Sequence, residues 1–298
     1  MSDLSALDTF TRTAERAANE VLDSYSTSFG LATRLLGARH RQHVRNVYAL
    51  VRVADEIVDG VAAQAGLSLA QQRLALDGFR SETERALACG YSADVVVHAF
   101  AVTARASGIG TELTDPFFAA MAMDVADAPV AGAPAIGFSP ERHDDYVYGS
   151  AEAVGLMCLR VFLKDEVRNA EELALLETGA RQLGAAFQDI NFLRDLHDDA
   201  RLGRNYLSAT SALDDAAKAQ WVGRVRAQLD GASAAIPVLP RDARAAIRCA
   251  HAVFTRLVDR LEATPVDDLY QRRLRVPDSV KAWCAIRAVA ATALEARP

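Results

Sequence analysis

The sequence predicts an all-α protein, and three observations lead to this prediction. Ala, Leu, Val, Arg and Glu dominate nearly every long segment of the 298 residues, and several of these are strong helix formers. Apolar residues recur three or four positions apart, as they do along one face of a helix. Few stretches alternate between apolar and polar residues in the way that a half-buried strand requires.

The apolar periodicity predicts ten helices in order along the chain. They cover residues 5–23, 40–63, 68–89, 92–107, 114–125, 140–163, 170–202, 211–231, 239–263 and 277–296. Pro116 is expected in the first turn of the fifth helix, where its missing N–H is not needed. The clearest internal loop is marked by Pro129, Gly132, Pro134, Gly137 and Pro140. This loop is short and the helical pattern is the same on both sides, so residues 1–298 are expected to form one domain.

Composition and charge exclude several classes of protein. With 33 basic and 39 acidic residues the net charge is −6, which argues against a nucleic-acid partner. The four cysteines form no CxxC pair, so no zinc or redox motif is indicated. The polar N-terminus lacks a signal peptide's apolar core. The apolar run 95–104 has ten uncharged residues, whereas a membrane span needs about 20. A soluble or peripheral cytoplasmic protein is expected.

Two predicted helices each carry an acidic face. On the second helix, separations of four, three and four positions place these residues on one side: Tyr48, Arg52, Asp55 and Asp59. On the seventh, the separations are three, four and four: Gln188, Asn191, Asp195 and Asp199. Like charges four residues apart cost a helix a few tenths of a kcal/mol, so two such pairs favour a cationic partner.

The donor chemistry of these faces favours Mg²⁺. Carboxylate and amide oxygens suit a hard cation that keeps several waters and is completed by phosphate oxygens. Two facing acidic helices would hold a diphosphate through bridging Mg²⁺, with arginines neutralising the remaining charge. Either acidic pair alone is better explained as a solvated helix face. The phenol, amides and arginines beside them favour the functional interpretation.

An apolar pocket beside the metals is expected near Gly149–Gly155. This segment gathers small residues, which would leave room for a ligand between helices. Close helix packing explains the same residues equally well.

Four segments of this chain resemble the squalene and phytoene synthases, the head-to-head branch of the all-α isoprenoid synthases. The matching segments are Tyr25-Ser-Thr-Ser-Phe29, Tyr48 to Asp59, Tyr146-Val-Tyr148-Gly-Ser-Ala, and Gln188 to Leu207. The last is long and highly specific, and the ordered set covers most of the chain. The resemblance implies a class I isoprenoid synthase bundle with a central active-site cavity.

The resemblance also implies a role for each matching residue. Ligands of Mg²⁺ and substrate diphosphate would be Asp55, Asp59, Asn191, Asp195 and Asp199. Diphosphate contacts would be Arg52, Gln188 and Arg194, joined from the C-terminal part by Arg273 and Lys281. Tyr48 and Tyr206 would be active-site phenols. Other substrate contacts would be Ser28, Phe29 and Tyr148. Tyr48, Arg52 and the four aspartates are the expected catalytic residues.

Two positions depart from the family pattern. Thr27 stands where many members have a basic residue, which weakens one expected diphosphate contact. Phe254 stands where a tyrosine often occurs, which removes a hydroxyl.

The implied activity is that of a phytoene synthase, a prenyltransferase of carotenoid biosynthesis. Two C20 geranylgeranyl diphosphates would join head to head through a cyclopropylcarbinyl (prephytoene) diphosphate. Mg²⁺, with Mn²⁺ as an alternative, would be required, and NADPH would not. Expected partners are prenyl diphosphates, the inner face of the cell membrane for product release, and downstream carotenoid enzymes.

Three alternatives stay open. A C15-using squalene, dehydrosqualene or presqualene diphosphate synthase would share the same motifs. A non-catalytic relative acting as an assembly factor would be expected to lose metal ligands, and all four aspartates are present. An HD-type phosphohydrolase is suggested by His143-Asp144 and His197-Asp198 but needs further histidines, and His197 is expected to point away from the acidic face.

Overall fold

The computed structural model describes residues 5–126, 137–201, 204–208 and 212–295. Over these ranges the chain is mostly helical and contains no strand, only an isolated bridge between Gly137 and Asn205. The predicted all-α class is confirmed. The central loop residues Pro129, Gly132 and Pro134 lie outside the described ranges.

Fifteen α-helices occur in the described ranges. They are α1 (Ala6–Tyr25), α2 (Thr27–Arg34), α3 (Ala38–Val58), α4 (Val61–Gln64), α5 (Leu69–Cys89), α6 (Val95–Ser107), α7 (Thr111–Ala126), α8 (Pro140–Val147), α9 (Ala153–Leu163), α10 (Ala170–Arg194), α11 (Leu196–Arg201), α12 (Asp215–Ala235), α13 (Arg241–Ala263), α14 (Val266–Leu269) and α15 (Asp278–Leu294). A π-helical turn, Tyr148–Glu152, joins α8 to α9, and a 3₁₀ turn, Ile236–Val238, precedes α13.

Two predicted helices end earlier than expected, and both end at an acidic pair. Asp59 is the C-cap of α3, because Gly60 follows with a φ of +128° that ends the helix. Asp195 is the C-cap of α10, with a φ of −99°. The backbone N–H of Asp199 still donates to the carbonyl of Asp195 at 2.9 Å. The four-residue spacing of each pair therefore survives although the helices stop.

Most of α4 lies within the predicted helix 40–63, whereas α2 and α14 were not predicted. They are short, and α2 follows α1 after one residue, Ser26, whose side chain accepts from the N–H of Phe29 and caps the helix. The position of Pro116 was also predicted wrongly. It lies inside α7 rather than in its first turn, because Gly110 accepts the first backbone bonds and the helix starts at Thr111.

The core is built around α3, α9 and α10, with α7, α12 and α13 packed against them. Small residues allow the closest approach. A Cβ at Gly155 would lie 2.5 Å from the carbonyl oxygen of Ala180, and one at Gly184 would lie 2.5 Å from that of Ala151. The small-residue segment therefore does pack closely against α10.

One helical run, Pro140–Leu163, is long and apolar enough to cross a membrane by length and composition. The run was not predicted as a span because Glu152 and Arg160 interrupt its uncharged stretches. Half of the relevant window is buried inside the protein, where its helices pack against α7 and α10. A core helix passes the same test.

Candidate active site

An apolar cavity of about 220 Å³ lies between α2, α9, α10, α12 and α13. Phe29 closes it on one side, and Cys158, Leu176 and Ile247 contribute to its walls. Ser150 Oγ also lines it and has no hydrogen-bond partner among the described residues. The segment expected to leave room for a ligand thus provides both close packing and cavity wall.

Aromatic side chains connect this cavity to the acidic face of α3. The ring of Phe29 stacks on that of Tyr48, with centroids 5.1 Å apart. Burial raises the pKa of Tyr48, and the charge of Arg52 partly offsets this effect. One turn farther along α3, Arg52 lies over the ring of Tyr25 at 4.4 Å and forms an ion pair with Glu56.

The two acidic pairs lie within electrostatic reach of each other. Burial first, then the neighbouring charge of Asp59, raises the pKa of Asp55 well above its usual range. Burial raises the pKa of Asp199 to about 7, and the charges of Asp195 and Asp59 add to the effect. Because Asp59 influences carboxyls on both motifs, the fold brings together the two faces that the sequence placed 136 positions apart.

Arginines already compensate two of these carboxylates. Arg194 binds Asp195 through two hydrogen bonds of 2.9 and 2.6 Å, and Arg273 Nε lies 2.6 Å from the same carboxylate. Arg204 Nη1 lies 2.7 Å from Asp59 Oδ1. The three cations converge on the site where a diphosphate was expected.

A buried carboxylate beside the acidic pairs was not predicted. Asp124 of α7 is 4% exposed and accepts hydrogen bonds from Tyr146 at 2.8 Å and Tyr206 at 3.0 Å. Burial, with a contribution from Asp59, raises its pKa to about 7. A single acid in the apolar run Met121-Ala-Met-Asp-Val125 was the available clue.

The remaining predicted residues are placed as follows. Gln188 and Asn191 are half-buried on α10, two turns and one turn before Asp195, respectively. Tyr206 stacks on Phe192, with centroids 4.5 Å apart. Tyr148 lies apart, lining a different groove with Arg181 over its ring. The side chain of Ser28 lies outside what the structure describes.

At each of the two positions that depart from the family pattern, Thr27 and Phe254, a neighbouring side chain contacts the departing residue. Lys281 Nζ donates to Thr27 Oγ1 at 3.2 Å, so a cation from α15 reaches the position where a basic side chain was expected. Phe254 stacks on the cavity residue Phe187, with centroids 3.8 Å apart. Apolar packing thus takes the place of the missing hydroxyl.

The second histidine of the phosphohydrolase alternative faces elsewhere. His197 Nδ1 lies 2.8 Å from the carbonyl oxygen of Tyr270. His143 is buried, with Nε2 3.0 Å from Asp189 Oδ1.

In the part of the chain that the structure describes, no three His, Cys, Asp or Glu side chains form a preassembled metal cluster. The carboxylates with raised pKa values are chemically suited to a hard cation, which would take further ligands from water and diphosphate.

Comparison with known proteins places these features in a family. The family model for squalene/phytoene synthases matches residues 22–279. The chain is 29% identical to phytoene synthase 3, chloroplastic, of Zea mays over 92% of its own length and 65% of that protein. It is 31% identical to the 15-cis-phytoene synthase of Pantoea ananas over 65% of this chain and 59% of that one. The chain thus spans about three-fifths of the length of these relatives.

The fold agrees with this assignment. A solved dehydrosqualene synthase superposes with a TM-score of 0.72 at 20% identity, covering 95% of this chain and 98% of that one. At this identity the likeness shows the fold, a class I isoprenoid synthase bundle with a central cavity. The family match over most of the sequence shows more: the chain belongs to the squalene/phytoene synthase family.

Proposed function

We propose that this protein is a phytoene synthase that joins two geranylgeranyl diphosphates head to head. One observation carries the proposal. Phe29 lines the apolar cavity and stacks on Tyr48, which lies on the same helix face as Asp55. A polyprenyl chain in the cavity would therefore place its diphosphate end beside the carboxylates and arginines. The names of the curated relatives supply the product class.

The acidic motifs would hold Mg²⁺ through Asp55, Asp59, Asn191, Asp195 and Asp199. When bound, Mg²⁺ would neutralise charge on the departing diphosphate. Arg52, Arg194 and Arg273 would bind its oxygens, and guanidinium groups suit this role because their fork of N–H donors matches phosphate geometry. Asp195 is already paired with two of these arginines, so diphosphate would enter an existing arrangement of alternating charge.

The cavity residues would protect the allylic cation formed when diphosphate leaves. Apolar walls exclude water that would otherwise capture the cation. The faces of Phe29 and Tyr48 would each stabilise it by about 1–2 kcal/mol in a desolvated site. The double bond of the second substrate would then capture the cation, and loss of a proton to the released diphosphate would close the ring to give the cyclopropylcarbinyl diphosphate. Departure of the second diphosphate, rearrangement and loss of one further proton would then give phytoene.

Product analysis tests the proposal and its C15 alternative together. The full chain is incubated with Mg²⁺ and either C20 or C15 prenyl diphosphate, with and without NADPH, and hydrocarbons are extracted. A C40 product formed without NADPH is expected. C30 products alone would replace the proposal with a squalene or dehydrosqualene synthase. No condensation under any condition would favour the non-catalytic relative.

A further inference from the structure

Trp221 of α12 reaches the segment 204–208, which carries Arg204 into the candidate active site. Its indole Nε1 donates a hydrogen bond of 3.1 Å to the carbonyl oxygen of Leu207, a buried residue of this segment. At the other end of the segment, Arg204 Nη1 lies 2.7 Å from Asp59 Oδ1. The segment is not helical, so its carbonyl groups need partners from outside it. The indole N–H is one of these partners.

Two neighbours hold the indole ring of Trp221. The imidazole of His143, on α8, packs against it with ring centroids 4.7 Å apart. The guanidinium of Arg224, about one turn farther along α12, lies 5.3 Å from the centroid of the same ring. Aromatic and cation–π contacts of this kind restrain the orientation of a ring. The direction of the indole N–H is therefore restrained as well.

A buried carboxylate of α10 holds these two neighbours together. Asp189 is fully buried, and its Oδ1 lies 3.0 Å from His143 Nε2. Its Oδ2 accepts a hydrogen bond of 3.0 Å from Gln228 Nε2 and lies 3.4 Å from Arg224 Nε. A buried carboxylate is costly unless polar partners replace water. Asp189 thus draws side chains of α8 and α12 to one place beside Trp221.

Asp144 completes these contacts at the surface. Arg224 Nη2 donates to Asp144 Oδ1 at 2.8 Å, and Nδ1 of the adjacent His143 lies 3.5 Å from the same oxygen. The dipeptide His143-Asp144 suggested a phosphohydrolase in the sequence. In the fold, both of its side chains belong to the support of Trp221.

His143 also supports the segment 204–208 by a second route. Its ring lies 5.8 Å from that of Phe192, on which Tyr206 stacks at 4.5 Å. Tyr206 and Leu207 are consecutive in the chain. His143 therefore supports the side chain of the first through Phe192 and the backbone of the second through the indole.

We propose that Trp221 is a positioning residue for the head-to-head condensation, supported by His143 and Asp189. By fixing the carbonyl of Leu207, it would hold Arg204 where the guanidinium can bind the departing diphosphate. Trp221 acts through Arg204 and not on the reacting atoms. The catalytic role rests on the proposed function, whereas the coupling between these two residues can be measured without catalysis.

Removing the indole N–H tests the positioning. Trp221→Phe keeps a ring against His143 but cannot donate to Leu207. We expect kcat to fall about tenfold and KM to change less than threefold, because Arg204 would act on charge that develops as diphosphate departs. Trp283→Phe, at the exposed tryptophan of α15, is the matched control and should keep wild-type kinetics. An unchanged kcat in Trp221→Phe would overturn the proposal.

A double-mutant cycle distinguishes positioning of Arg204 from a general effect on packing. In an Arg204→Gln background, Trp221→Phe should lower kcat by less than a further twofold, since the group that it positions is already gone. A purely structural role would give the same tenfold loss in both backgrounds, and that result would overturn the proposal. Melting temperatures of the four proteins are compared to check the fold.

The support of the indole is tested at His143. His143→Ala removes the ring beside Trp221 and should lower kcat about tenfold. His143→Phe keeps a ring there and should retain kcat within about twofold, at a lower melting temperature because Asp189 loses a partner. His251→Ala is the matched control, since this histidine of α13 contacts the carbonyl oxygen of Leu229 at 2.9 Å. It should lower the melting temperature without lowering kcat; an equal loss of kcat would contradict the role of His143.

Fluorescence tests the coupling without catalysis. The chain has two tryptophans, so Trp283→Phe leaves Trp221 as the only one. Saturating inorganic diphosphate with Mg²⁺ should shift its emission, because Arg204 would exchange Asp59 for a diphosphate oxygen and move the carbonyl of Leu207. Arg204→Gln should remove this shift, with saturation checked by calorimetry. A shift that persists in this variant, or no shift in either protein, would overturn the coupling.

The same measurement separates this inference from the proposed function. An emission shift that depends on Arg204, in a protein that forms no hydrocarbon from C15 or C20 prenyl diphosphate, would reject the proposed function and retain the coupling. Condensation with unchanged kcat in Trp221→Phe would retain the proposed function and reject the positioning.

Discussion

Tyr206 donates a hydrogen bond to Asp124, with 3.0 Å between its phenolic oxygen and Oδ1. Tyr146 donates to the other carboxylate oxygen at 2.8 Å. The ring of Tyr206 also stacks on Phe192 of α10. The buried carboxylate on α7 thus holds two phenols in place. Through Tyr206 it also positions the segment that contains Arg204, whose side chain pairs with Asp59.

Replacing this carboxylate by an amide should impair turnover without unfolding the protein. In Asp124→Asn only one oxygen can accept and the amide nitrogen donates, so one phenol loses its acceptor. We expect kcat to fall by about ten- to hundredfold, the cost of a misplaced active-site group, while the helical circular dichroism is retained. Steady-state kinetics of Asp124→Asn, Tyr206→Phe and the double variant test the coupling. Additive effects of the two substitutions would show that Asp124 does not act by positioning Tyr206.

The raised pKa of Asp124 predicts how stability changes with pH in the absence of metal. Burial raises it from an ordinary value of 3.8 to about 7, so between these values the folded state holds a proton that the unfolded state has lost. Stability therefore falls as pH rises through this window and levels off above it. We expect the melting temperature of the wild type to drop by about 5 °C between pH 5 and pH 8. Asp124→Asn should show a smaller drop, since Asp199 still contributes; an identical drop would contradict the assignment.

Substitution of the predicted metal-ligand aspartates should abolish activity, and at Asp55 it should do so without lowering stability. Asp55→Asn removes a carboxylate whose ionisation is opposed by burial and by Asp59, so the metal-free melting temperature should be equal or higher while turnover is abolished. Asp195→Asn should also abolish turnover. The control is Asp198→Asn, an exposed neighbour on α11, which should keep near-normal activity. Substantial activity in Asp55→Asn or Asp195→Asn would contradict the metal assignment.

The fold and the two acidic faces were predictable because they depend on local periodicity. Apolar residues three or four apart define helices, and Asp55 with Asp59 stays in register because backbone bonds continue to the cap. The breaks at Asp59 and Asp195 were not predictable from periodicity. They occur where the backbone leaves helical geometry while the side-chain pattern continues.

The features of the site that could not be predicted depend on contacts between segments that are far apart in the sequence. Asp124 bonds to tyrosines that lie 22 and 82 positions away, so its only mark in the sequence is that it is a lone acid in an apolar run. Arg204 stood inside the recognised motif, but its contact with Asp59 joins residues 145 positions apart. Tyr148 shows the reverse case: it stood in a matching segment, yet its ring faces another groove.

Cavity depth should control the length of the product. Cys158 lines the cavity, and burial raises the pKa of its thiol to about 12, as expected for an inert apolar surrounding. Cys158→Phe would fill part of the space, so condensation of C20 substrate should fall about tenfold relative to that of C15. Cys158→Ala should keep the C40 product, and Cys89→Phe, at an exposed position, should change nothing. An equal loss of condensation with the C15 and C20 substrates would show that cavity depth does not determine the length of the product.

The contact between Lys281 and Thr27 predicts a rescue. Lys281 is anchored on α15 by Asp278 at 3.0 Å and reaches Thr27 Oγ1 on α2 at 3.2 Å, so it supplies a cation where other family members are expected to carry one at position 27. Lys281→Ala should raise KM for prenyl diphosphate by about tenfold, because one charge-assisted contact is lost, with a smaller effect on kcat.

Adding Thr27→Lys to this variant should restore most of the affinity, since the new ammonium would lie on the neighbouring helix at the same place. Thr27→Val is the matched control that keeps the volume without the charge, and it should not rescue. A double variant no better than Lys281→Ala would mean that the position of the cation on α15, and not only its charge, is required.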